Sequence, residues 1–127
     1  MVKTTEDKIL RVGIIRKGKI VEERLLRKKQ DVTVGSLGKN TFSVTGSALP
    51  KSVKLFSVAR NGQYNLEFSE DMDGRVFLGD KVQKLNELRD RDETVRKGKV
   101  SIVSLTELSR GKVILGDVTF LLSLIHI

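Results

Sequence analysis

At 127 residues the chain reads as one domain, large enough for a real core. It has no cysteine, which excludes a disulfide framework, a thiolate zinc site and a cysteine nucleophile, and it has a single histidine. The formal charge of +8 invites acidic partners such as nucleic acid, anionic lipid or a phosphoprotein, but the basic residues are scattered over most segments. Arg27-Lys28-Lys29 is the one tract, so the charge reads first as a solvated surface.

Residues 1–8 are polar, with no apolar centre for a signal peptide, and read as a disordered N-terminal segment. Residues 9–15 and 20–26 are strand-like and flank the turn Arg16-Lys17-Gly18-Lys19, which reads as a hairpin with a glycine-containing loop. Residues 32–35 are β-branched and end at Gly35; residues 41–44 alternate, with Phe42 and Val44 on one face. Residues 46–50 read as a loop and 53–58 as a strand turned by Asn61-Gly62, the strongest hairpin signal in the chain. In 64–68, Tyr64, Leu66 and Phe68 point inward. A turn over 70–74 leads to a strand at 76–78. Residues 82–91 fit a strand or a short helix with Val82, Leu85 and Leu88 on its face, and the charged stretch 89–97 reads as a mobile loop. Strands follow at 100–103, 113–115 and 118–120. Ten or eleven short strands with short connections predict an all-β sandwich of antiparallel strands.

One phrase occurs twice. Gly74-Arg75-Val76-Phe77-Leu78-Gly79-Asp80 returns as Gly111-Lys112-Val113-Ile114-Leu115-Gly116-Asp117. Two copies fall short of a solenoid and read as two similar hairpin corners. The closing string Leu122-Ser123-Leu124-Ile125-His126-Ile127 is what CTG TCT CTT ATA CAC ATC encodes, the mosaic-end adapter of transposase-made sequencing libraries. On that reading 122–127 is a non-native, adapter-derived tail on a truncated frame, the domain proper is 9–121, and His126 carries no mechanistic weight; the alternative is an ordinary apolar final strand.

The order of strands and turns resembles that of forkhead-associated (FHA) domains over roughly residues 10–120. Val32-Thr33-Val34-Gly35-Ser36 with Asn40-Thr41-Phe42-Ser43-Val44 is similar to the family's Ile-Gly-Arg corner and next strand. Residues 71–82 are similar to its Ser-x-Asn-Gly-Thr stretch, and 108–120 to its closing Gly-Asp hairpin. The resemblance implies an eleven-stranded sandwich that binds phosphothreonine peptides with loops at one end. It also implies the departures. Ser36 stands where the family has its phosphate-binding Arg, Pro50 where it has a Ser, Val53 where it has a His, and Asp73 where a loop Asn holds the peptide. Lys39, Lys51 and Arg75 offer charge without the bidentate fork of arginine at the family's position. The binding surface implied on the loop face is Ser36, Lys39, Asn40, Lys51, Ser52, Asp73 and Arg75.

A narrower resemblance runs through residues 19–25, 32–35, 49–51, 55–56 and 72–76. These are similar to the N-terminal FHA-like domain of gliding-motility and TonB-like envelope proteins of the AgmX/PglI group. It implies a cytoplasmic, phospho-independent protein–protein interaction module of an inner-membrane protein, membrane-anchored in its full-length form. The alternatives are a phosphothreonine-signalling domain with a rebuilt site and a nonspecific polyanion or nucleic-acid binder. Nucleic acid is disfavoured because Phe42, Phe56, Tyr64, Phe68 and Phe77 read as core rather than as stacking platforms. No cofactor, metal or enzymatic activity is expected. Glu70, Asp71 and Asp73 read as a polar turn, Ser36 and Ser47 as turn residues, and Gly35-Ser36-Leu37-Gly38-Lys39 is too short for a phosphate loop.

Overall fold

The computed structural model describes residues 8–44, 48–78, 81–91, 94–106 and 109–126. Its first sheet holds β1 (Lys8–Arg16), β2 (Lys19–Leu26), β7 (Asp73–Phe77), β8 (Val82–Lys84), β11 (Arg110–Leu115) and β12 (Val118–His126), in the order β2-β1-β12-β11-β7-β8. The second holds β3 (Val32–Gly35), β4 (Phe42–Ser43), β5 (Val53–Val58), β6 (Tyr64–Ser69), β9 (Val95–Lys97) and β10 (Val100–Ser104), in the order β4-β3-β5-β6-β10-β9. All described pairings are antiparallel except β3 with β4. The all-β sandwich expected from the alternation is therefore the fold.

Period-two alternation builds the core. Leu10, Val12 and Ile14 of β1 and Val118, Phe120, Leu122 and Leu124 of β12 point in from one sheet. Val32, Val34, Phe56, Tyr64, Leu66 and Phe68 meet them from the other. The turns follow local chemistry. Lys17 and Gly18 both have positive φ (53° and 78°), as a two-residue hairpin requires, and Gly62 at φ 84° closes the β5–β6 turn.

Several elements differ from the sequence expectation. Residues 82–88 are both of the structures weighed: β8, then a single-turn helix α1 (Leu85–Leu88). The Glu87 carboxylate accepts from the Lys84 amide to start that turn. Leu85 and Leu88 are buried but Val82 is exposed, so the three do not share a face. The stretch read as a mobile loop carries β9, which pairs with β10. Of the segment read as disordered, Lys8 opens β1 and residues 1–7 lie outside the described residues. The last strand does not stop at Phe120; it runs on to His126, antiparallel to β1 along its whole length. Leu122 and Leu124 are buried because they continue the inward series begun at Val118, and the Leu124 amide donates to the Ser109 carbonyl at 2.8 Å.

The two copies of the repeated phrase are not separate corners. They are hydrogen-bonded neighbours, β7 against β11, with Gly74 opposite Val113, Arg75 opposite Lys112 and Val76 opposite Gly111. Only the second copy's Gly-Asp turn, at Gly116-Asp117, falls within the described residues.

Candidate binding surface at the loop end

The strand registers bring the connections after β1, β4, β6, β9 and β11 to one end of the sandwich, and the segments that follow β3 and β8 leave from the same end. Of the residues expected to form a binding surface, Ser36, Lys39, Asn40, Lys51, Ser52 and Asp73 lie there. Arg75 does not. It sits within β7 with its side chain on the outer face of the first sheet, opposite Lys112, because Gly74 and Val76 take the inward positions.

Two of these loops are sewn together by backbone contacts. The Ser36 amide donates to the Pro50 carbonyl at 3.0 Å, the Leu37 amide to the Lys51 carbonyl at 3.2 Å, and the Val44 amide to the Gly35 carbonyl at 2.9 Å. Gly35 permits this approach, since a Cβ there would overlap the Lys51 carbonyl oxygen. Asn40 then pins the pair. Its buried amide group donates to the Leu37 and Lys51 carbonyls at 2.7 and 2.9 Å, and its Oδ1 accepts from the Ser52 hydroxyl at 2.6 Å. Asn40 and Ser52 are therefore engaged in holding the two loops against each other.

A second device fastens the two sheets at this end. The Asp117 carboxylate accepts from the Ala48 amide and from Arg16 Nη2, both at 3.0 Å, and Gly116 packs beside Ala48. The Ala48 amide first, and then the Arg16 guanidinium, hold the Asp117 carboxyl below its usual pKa. The Gly-Asp turn was visible in the sequence; its reach to residues 48 and 16 was not, because nothing local encodes a contact across 69 residues.

Exposed at this end are Leu37, with Lys39 and Lys51 in the same pair of loops, and Asp73 at the start of β7. Asp73 Oδ1 accepts from the amide of Gly74, the next residue of β7, at 2.8 Å. Among the described residues no group of three or more His, Cys, Asp or Glu side chains converges as metal ligands, and no helix is long and apolar enough to cross a membrane. Comparison of the chain with protein-family models, curated proteins and solved structures returns no match.

Proposed function

We propose that this chain is a non-catalytic protein-interaction domain that docks a protein segment on its loop end without needing a phosphate group. The observation that carries this reading is the state of Asn40. Asn40, a buried amide at the loop end, uses both of its donors and accepts one bond within the loops, and the neighbouring cations are exposed lysines. Phosphate recognition by charge-assisted hydrogen bonds draws on converging, pre-positioned donors. An exposed Leu37 flanked by Lys39 and Lys51 suits a mixed apolar and acidic protein surface better. The resemblance to FHA-like domains of gliding-motility and TonB-like envelope proteins supports a place at the cytoplasmic end of a larger envelope protein.

The test is NMR titration of the labelled chain with matched pairs of phosphothreonine and unmodified peptides. Equal perturbation of residues 36–41 and 48–52 by both members of a pair is the expected result. A preference of about tenfold or more for the phosphorylated member, lost in Lys39→Ala or Lys51→Ala, would replace this reading with the phosphopeptide one. Binding to single-stranded DNA with a steep salt dependence would replace it with the polyanion reading.

A further inference from the structure

We infer that the outer face of the first sheet is a second docking site, and that its occupant is an acidic amphipathic helix of a protein partner. It lies on a different face from the loop end, so it stands or fails apart from the reading above.

The strand registers draw a straight row across all six strands: Glu23, Gly13, Leu121, Lys112, Arg75 and Lys84. The last three are cations on three adjacent strands. None of them forms an ion pair with a carboxylate among the described residues. In the neighbouring row the Arg110 guanidinium lies 4.7 Å from the centre of the Phe77 ring, and Arg11 is held at 2.6 Å by Glu23. Between these charges runs a groove of about 540 Å³. Gly13, with no side chain to fill it, forms part of its floor with Leu121, and Phe77 and Val82 line its far end. Phe77 was expected in the core; it stands on this face instead, because Gly74 and Val76 hold the inward positions of β7.

The geometry selects among anionic ligands. Cations on adjacent strands stand about 4.8 Å apart. Side chains three or four positions apart on a helix rise about 4.5–6 Å along its axis. Alternate side chains of an extended peptide step about 6.8 Å and overshoot. Carboxylates at i, i+3 or i+4, and i+7 of a helix laid across the strands meet Lys112, Arg75 and Lys84 in turn. The apolar stripe beside them falls toward Leu121, Phe77 and Val82. A nucleic acid finds no open ring here, since Arg110 already covers Phe77. An anionic bilayer surface meets the Glu23 carboxylate at the end of the row, beside Gly13 and Leu121.

The probe is a fluorescein-labelled synthetic helix of about 18 residues, with a leucine stripe flanked by glutamates at that spacing, titrated into the full chain by anisotropy. Saturable binding is expected. It should weaken about tenfold or more in Arg75→Glu/Lys112→Glu, and likewise in Gly13→Leu, which fills the groove. A Cβ at Gly13 meets nothing closer than 3.8 Å, so the backbone accepts a side chain there, and an unchanged melting temperature of this variant separates loss of the groove from loss of the fold. Arg75→Glu alone places opposite charges across β7 and β11 and should melt no lower than the parent. Lys39→Ala/Lys51→Ala should bind as the parent does, and the lysine-for-glutamate peptide should not bind. The proposal is overturned if the acidic peptide fails to bind, or if the groove variants bind it like the parent. It is equally overturned if phosphatidylserine vesicles or single-stranded DNA bind more tightly through the same residues.

Discussion

Replacing Gly74 by alanine tests the pairing of the two repeated phrases directly. Gly74 is buried in β7 at φ +133°, a conformation that L side chains rarely adopt, and a Cβ there would overlap the Lys112 carbonyl oxygen of β11. Neither strand can retreat, because β7 is fixed on its other side by β8 and β11 by β12. Backbone strain at such a site costs about 1–3 kcal/mol, and forcing atoms into a packed interior costs about 1–3 kcal/mol more. Together these remove roughly 2–6 kcal/mol from a domain whose whole stability is on the order of 5–15 kcal/mol. Urea unfolding followed by circular dichroism should show a lower midpoint with little change in slope. Gly38→Ala is the control. Gly38 is exposed, its φ is not positive, and nothing lies within 4 Å of the added carbon, so its effect should stay within about 0.5 kcal/mol. If Gly74→Ala is as neutral as Gly38→Ala, the close approach of β7 and β11 is wrong, and the reasoning from it falls.

Asn40→Ala should cost about 1–3 kcal/mol in the same assay, since it strips partners from the Leu37 and Lys51 carbonyls and from Ser52; a neutral result would show that the loops hold without the pin. Asp117→Asn should lower the melting temperature at neutral pH. The Asp117 pKa is depressed in the folded state, so its contribution is present above the unfolded value and is lost as pH falls through the folded one. The gap between variant and parent should therefore close below about pH 3.8, and a gap that persists there would mean that the carboxylate charge is irrelevant. Ending the chain after Leu121 removes two buried leucines, worth about 1.5–3 kcal/mol each, along with the distal part of the β1–β12 ladder. A truncated chain that melts within about 3 °C of the parent, less than 1 kcal/mol for a domain of this size, would show that residues 122–126 add nothing to the sheet.

The sequence made the sandwich legible wherever alternation was long and regular. Tyr64, Leu66 and Phe68 point inward as read, and Lys17-Gly18 and Asn61-Gly62 turn where their chemistry requires. Legibility failed where the deciding partner was distant. β9 is a charged, fully exposed edge strand, and only its ladder to β10 makes it a strand at all. Phe77 has the hydrophobicity of a core residue, and its outward face is set by the glycine and valine positions of β7. Asn40 was legible as a polar loop residue. Its burial follows from the approach of a loop eleven residues away, which no local pattern reports.

The repeated phrase and the basic row have one cause. When two copies of Gly-x-Val pair antiparallel with x opposite x, each glycine falls against the other copy's valine. Whatever fills x must then face its counterpart on the outer surface. Here those residues are Arg75 and Lys112. The sheet gains nothing from that choice. Like charges directly opposite are destabilising, whereas an opposite-charge or threonine pair contributes about 0.2–1 kcal/mol. Gly74 and Gly111 are demanded by the fold, since a Cβ at either position overlaps the partner strand's carbonyl oxygen. The cations between them are not. Lys84 continues the row, and this basic stripe is the feature on which the docking of an anionic helix proposed above rests.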